Sequence, residues 1–321
     1  MTPSTERRKV HFPSGGTTCA AWHYPGTNGA CVIMTGGLAV TKEPGTDRLA
    51  RRLHEAGFTV LAFDYRRFGE SGGTPRQVVR YREQLADWRA AIDFAGTLPG
   101  VDPAKIAAWG YSLSSGHLFG LAAKNPHLAA AIAHSPLANG FAALPNAMRH
   151  QTMSASLRFN ARAIVDAIGL RLGREPLLVP LAGPPGTVTS LTTPDSQRGA
   201  GALNPLNAYP QWQQAVAASS AIRVAFYRPG RHAARIPIPF LVIAYQDDGV
   251  APPGPAIRAA KRAPRGELAL LPGGHYAAYL DGHEEAVSVL LSFLKQHLLG
   301  QPDENATHQP LTKDAATGSM A

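Results

Sequence analysis

The stretch Trp109-Gly110-Tyr111-Ser112-Leu113-Ser114-Ser115-Gly116 decides the fold. The apolar run Ile106-Ala107-Ala108-Trp109 leads into it, and mostly small and apolar residues, 117–124, lead out. This pattern reads as strand, very sharp turn and helix, with a serine at the apex. Such a turn lifts the hydroxyl clear of the sheet and aims the following amides and the helix N-terminus at it. Ser112 is therefore a candidate nucleophile. Ser114 and Ser115 fall inside the first helical turn, where they cap or pack.

A serine hydroxyl needs a base to take its proton, and a histidine base needs a carboxylate to orient it. Working outward, the chain offers both at the ends of apolar runs. Asp248 follows the run 240–245, in Gln246-Asp247-Asp248-Gly249-Val250-Ala251-Pro252, and its spacing to Pro252 favours it over Asp247. His275 follows the run 267–271 and the glycines Gly273 and Gly274; His134 and His283 compete with it. The ends of parallel strands are where open α/β sheets assemble sites. A tetrahedral oxyanion also needs two preorganised amides. Leu113 supplies one, and Gly37 or Leu38, after the run 30–34, the other, with Gly37 narrowly favoured.

The surrounding pattern supplies the sheet. Residues 9–24 read as a hairpin. Continuous apolar runs at 30–34, 58–63, 106–109, 129–133, 240–245 and 267–271 read as strands covered on both faces. Helices are expected at 47–56, 77–97, 256–263 and 284–299, the last closed by Gly300. Tyr81, Leu85, Trp88 and Ile92 form one apolar stripe, with Asp87 off it. This beat means a mostly parallel central sheet with helices on both faces. It breaks between 137 and 235, which reads as a largely helical insertion, a lid or pocket wall that packs on the main domain. The expected division is a core of 1–136 and 236–300, the insertion 137–235 and a flexible tail 301–321.

Composition excludes several classes. The 321 residues carry a formal net charge of +9, but the 31 lysines and arginines are scattered, without the motifs of a nucleic-acid binder. Arginines 149, 158, 162, 171 and 174 face only Asp166 and Glu175 between 141 and 180. They read as a solvated surface in preference to an attractor of acidic substrates. Cys19 and Cys31 read as buried thiols. No signal peptide and no apolar stretch long enough to span a membrane is present, so a cytoplasmic location without stable membrane insertion is expected. No metal-ligand spacing, phosphate loop or dinucleotide fingerprint occurs, and no cofactor is expected. Asp64-Tyr65-Arg66-Arg67-Phe68-Gly69 reads as a loop braced by its carboxylate and an arginine.

From about residue 9 to 300 these residues together resemble the α/β-hydrolase superfamily. The resemblance rests on Thr35-Gly36-Gly37, Asp64 to Ser71, Gly110-Tyr111-Ser112-Leu113-Ser114, Asp248 with Pro252, and Gly274-His275. Residues 82–91, Pro184-Pro185-Gly186-Thr187, Thr193-Pro194-Asp195 and 263–268 are similar to dienelactone-hydrolase-related and polyketide-associated acyl transfer enzymes. Two positions depart from the superfamily: Thr35 stands where a histidine is common, and Ser114 where the last glycine of Gly-x-Ser-x-Gly is common. The resemblance implies an α/β-hydrolase fold with a lid and a serine hydrolase acting on a small-molecule ester, thioester or lactone. An acyltransferase or a peptidase would use the same triad, and an inactive binding protein is the alternative of another class. A monomer or homodimer is expected.

Overall fold

The computed structural model describes residues 7–125, 127–301 and the backbone of 309–310. Its strands are β1 (Arg8–Ser14), β2 (Thr17–Tyr24), β3 (Cys31–Thr35), β4 (Thr59–Phe63), β5 (Ile106–Tyr111), β6 (Ala130–His134), β7 (Leu178–Pro180), β8 (Ala215–Ala217), β9 (Phe240–Tyr245), β10 (Gly266–Leu271) and β11 (Gln309–Pro310). Its α-helices are α1 (Lys42–Glu55), α2 (Tyr81–Ala95), α3 (Leu113–Ala122), α4 (Gly140–Arg149), α5 (Met153–Arg171), α6 (Pro194–Leu203), α7 (Ala218–Val224), α8 (Pro253–Arg262) and α9 (His283–Leu299).

The main sheet runs β1-β2-β4-β3-β5-β6-β9-β10-β11. β3, β4, β5, β6, β9 and β10 pair in parallel, while β1, β2 and β11 are antiparallel additions at the edges. Every residue of β3, β4, β5, β6 and β9 is buried. The reason is the period of two: Ile33, Leu61 and Phe63 face a core under Trp88 and Phe119, whereas Val32, Val60 and Trp109 face a second core under Leu53 and Phe293. Two cores on opposite faces of one sheet make this an α/β-hydrolase architecture. Both cysteines are free and buried in it. The expected tail lies outside the described residues except Gln301 and β11.

Two helix starts and the setting of one side chain stand out against the sequence reading. α1 begins at Lys42, ahead of the expected Asp47, despite Pro44 and Gly45. Asp64 Oδ1 accepts the Lys42 N–H at 2.7 Å and so caps the helix from another element. α2 begins at Tyr81, after the expected 77, because the preceding segment pairs with the insertion: Ala217 N–H donates to the Gln77 carbonyl at 2.9 Å, and Val79 N–H to Ser220 Oγ at 2.9 Å. Asp87 is not a solvent-side residue of α2. It is fully buried, accepting from Ser14 Oγ and from Arg66 Nε, both at 2.7 Å.

The segment between β6 and β9 carries α4 to α7. It also carries the antiparallel pair β7–β8, which is not expected from the sequence. Buried Asp166 holds it together, accepting Leu177 N–H at 2.6 Å and Ser219 N–H at 2.9 Å. Asp64 is braced by Lys42 and not by an arginine: the fully buried ammonium lies 2.9 Å from its Oδ2 and 2.6 Å from Glu70 Oε2. Arg66 pairs instead with Asp87. Among the described residues no helix is long and apolar enough to cross a membrane.

Candidate active site

The turn after β5 puts Ser112 at φ 55° and ψ −115°, a backbone conformation that L-residues rarely adopt. Gly110 makes the turn sterically accessible. A Cβ there would lie 2.8 Å from the backbone of Ser114 and Ser115, inside the first turn of α3. The neighbouring serines brace the elbow. Ser115 Oγ donates to the Ser112 carbonyl at 2.5 Å. Ser114 Oγ donates to the Gly36 carbonyl and accepts from Tyr65 OH at 3.0 Å. The hydroxyl at the position of the usual glycine thus ties the elbow to the loop after β3.

The chain brings Ser112, His275 and Asp248 into one hydrogen-bonded line. His275 Nε2 lies 3.0 Å from Ser112 Oγ, and His275 Nδ1 lies 2.8 Å from Asp248 Oδ2. Asp248 and His275 are buried, and Asp247 is exposed. The other oxygen of Asp248 accepts Val250 N–H at 3.0 Å and Ala251 N–H at 2.6 Å, which fixes the carboxylate plane. The Tyr111 hydroxyl donates to the His275 carbonyl. Burial, then the neighbouring Tyr279 and Tyr245, push that hydroxyl well above its ordinary pKa, so it stays a neutral donor.

The competing histidines are engaged elsewhere. His134 Nε2 meets Tyr245 OH at 2.9 Å, and His283 Nδ1 meets the Ala278 carbonyl at 2.9 Å. Gly37 packs directly on the nucleophile: a Cβ there would lie 3.1 Å from Ser112 Cβ and 3.6 Å from its Oγ. Leu38 joins it in the cavity wall.

Sequence reasoning missed a second carboxylate at the site. Asp195, at the start of α6, reaches both the loop of Asp248 and the loop of His275. Its Oδ2 accepts Gly249 N–H at 3.0 Å and His275 N–H at 3.2 Å. Burial pushes the Asp195 carboxyl up, but hydrogen bonds and the nearby imidazole outweigh it, and the net pKa lies below the usual value. Asn146 of α4 holds the same loop by donating to the Gly249 carbonyl at 2.7 Å. Only Thr193-Pro194, a helix-start pattern, hinted at the placement of Asp195.

Ser112 and His275 open into a cavity of about 190 Å³. Leu38 and Val40 line one side, and Leu181, Leu191, Leu203 and Trp212 come from the insertion. Ser196 and Gln214 are polar lining residues, and among the described residues no Asp, Glu, Lys or Arg lines the cavity. The arginines of the middle segment therefore do not bring charge to it. Trp212 Nε1 donates to the Ala39 carbonyl at 2.9 Å and joins the insertion to the loop of Gly37. Among the described residues no cluster of three metal-ligating side chains is present.

Residues 27–278 match the family described as serine aminopeptidase, S33. The chain belongs to this family of α/β-hydrolases. It is 36% identical to the quorum-quenching protein AidA of Acinetobacter baumannii over 292 residues, 89% of this chain and 94% of that protein. It is 31% identical to the polyketide transferase af380 of Aspergillus fumigatus over 182 residues, 56% of this chain and 59% of that protein. The crystal structure of the α/β-hydrolase GrgF from Penicillium sp. sh18 superposes with a TM-score of 0.76 at 23% identity, covering 91% of this chain and 99% of that one. The family match and these likenesses make the chain an α/β-hydrolase-fold enzyme of the serine-hydrolase type.

Proposed function

We propose that the protein cleaves an ester or thioester of an uncharged, largely apolar acyl group through an acyl-enzyme on Ser112. The observation that carries this reading is the unbroken line Ser112–His275–Asp248 at an uncharged cavity. His275 Nε2 takes the Ser112 proton as Oγ attacks the carbonyl carbon. The N–H groups of Leu113 and Gly37 receive the oxyanion. Asp248 stabilises the imidazolium, which then protonates the leaving group. A water, activated by the same nitrogen, releases the acid and restores Ser112.

The family description, serine aminopeptidase, suggests peptide substrates with a free amino terminus. The cavity has no carboxylate to pair with an α-ammonium, which favours the ester reading. A second reading, acyl transfer, draws support from the polyketide transferase among the relatives and from the apolar walls, which disfavour water. Here an alcohol or amine would replace water in the second half-reaction. The quorum-quenching relative makes small signalling molecules with an acyl group a substrate class to screen.

The test is intact-protein mass after a fluorophosphonate probe, on the native protein and on Ser112→Ala. One adduct, absent in the variant, is expected. Labelling that persists in Ser112→Ala would overturn the assignment. Acyl esters and thioesters, with and without added alcohols or amines, then separate hydrolysis from transfer.

A further inference from the structure

The inserted helix α5 is built inside out. Its buried residues, Ala155, Ala163 and Asp166, are small or polar, and it packs on α7. Phe159 packs against the core from the same side, but most of the helix's large apolar residues point away. Met153, Leu157, Ile164, Val165 and Ile168, with Leu172 just beyond its end, are each between 51% and 68% exposed. Their spacing keeps them on one stripe, opposite the packed face. The helix rises about 1.5 Å per residue, so the stripe runs some ~28 Å. Scattered apolar residues on a surface need no explanation, but a continuous stripe does.

The charges beside the stripe are predominantly of one sign. Between 141 and 180 the chain has five arginines against two acids, the buried Asp166 and the exposed Glu175 beyond the end of α5. Arg158 and Arg162 flank the stripe on one side, where they donate to the Gly186 and Leu178 carbonyls at 3.0 Å each. Arg171 and Arg174 lie at its C-terminal end and are exposed. A two-fold pairing of this face with a second copy would set arginine against arginine. An anionic lipid surface complements both features, taking the apolar side chains among its acyl chains and the guanidiniums against its headgroups.

We propose that α5 is a peripheral docking face for an anionic lipid membrane, lying in the interface without crossing it. The proposal does not depend on turnover or on the substrate. It is tested with the full-length protein and two kinds of vesicle, phosphatidylcholine alone and phosphatidylcholine mixed with phosphatidylglycerol, by co-sedimentation. Binding to the phosphatidylglycerol vesicles is expected, weaker on phosphatidylcholine and falling with added salt.

The combined variant Leu157→Ser, Ile164→Asn, Ile168→Ser should bind about tenfold more weakly or worse. These residues do not line the cavity, and labelling by the fluorophosphonate probe should be unchanged. Arg171→Gln with Arg174→Gln should weaken binding to phosphatidylglycerol vesicles selectively, which gives a second readout if the first variant folds poorly. No binding by the native protein, or equal binding by a folded stripe variant, would overturn the proposal. A dimer in sedimentation velocity that the stripe variant converts to monomer would overturn it too, and would assign the stripe to self-association.

Discussion

The Asp195 carboxylate accepts a hydrogen bond from the backbone N–H of His275 at 3.2 Å, so a residue of the inserted segment holds the loop of the proposed catalytic base. The same oxygen accepts Gly249 N–H at 3.0 Å, beside the acid of the triad. One side chain thereby sets the distance between the two loops. It touches no reacting atom, and its role is positioning. Asp195→Ala should lower kcat about 10²-fold with a smaller change in KM, as expected when a catalytic group shifts by about an ångström. Asp195→Asn keeps an oxygen acceptor and should recover most of the loss. Steady-state kinetics on a chromogenic ester check this. Equal losses in the two variants would mean that charge, not geometry, is what Asp195 supplies.

Ser114 couples the nucleophile elbow to the loop of Gly37 through Tyr65 and the Gly36 carbonyl. Ser114→Ala leaves the buried Tyr65 hydroxyl and the Gly36 carbonyl without this partner. The expected loss is about 1–3 kcal/mol of stability. Activity should fall as well, because Gly36 directly precedes the proposed oxyanion residue. Urea denaturation and ester kinetics on the same sample check both. Unchanged activity beside a clear stability loss would uncouple Gly37 from the elbow.

Lys42 carries a fully buried ammonium against Asp64, with Glu70 on its outer side. Burial works against its charge, but Asp64, Glu43 and Glu70 more than offset this, and its pKa lies above the ordinary lysine value. Lys42→Met strands a buried carboxylate that also caps α1. Removing one partner of a buried ion pair typically costs about 3–5 kcal/mol. Urea denaturation should show a loss of that order, with the fluorophosphonate site intact in the protein that remains folded. A loss below about 1 kcal/mol would mean that Asp64 becomes protonated, or that water reaches it, in the variant.

The sheet and the positions of the proposed triad were legible because both are written in local sequence. Continuous apolar runs mark strands covered on both faces, and each triad member stands just beyond one of them. Asp248 was separable from Asp247 only by its spacing to Pro252, and burial now shows why: one carboxylate is inside and the other faces solvent. Asp195 was not legible, since its partners are backbone groups 54 and 80 residues away. α1 was truncated in the reading because its cap is Asp64, 22 residues distant. The burial of Asp87 was not legible, since it lies off the apolar stripe of α2 and its partners Ser14 and Arg66 are 73 and 21 residues away. The outward stripe of α5 was not legible, because its packed face is made mostly of small residues and Asp166.

Acid should destabilise the fold through two histidines outside the triad. Burial holds His117 down to a pKa of about 3. Burial, then the nearby His275 and His283, hold His134 down to about 3 as well. Both pKa values are below the ordinary histidine value of about 6.5, so the folded protein keeps both rings neutral while the unfolded chain takes up protons. Their stability contribution is complete above about pH 6.5 and is lost as pH falls toward 3, by about 1.4 kcal/mol per pH unit for each ring. His117 meets Tyr227 OH and Gln84 Oε1, each at 2.8 Å, which a neutral amide can imitate. His117→Gln should therefore take about 1.4 kcal/mol per pH unit out of the dependence of unfolding free energy on pH between about pH 6 and 4, whatever it does to stability at neutral pH. Urea titrations across that range measure the slope. If the slope is unchanged in the variant, His117 is protonated in the folded state and its ring is solvated more than its position between Tyr227 and Gln84 indicates.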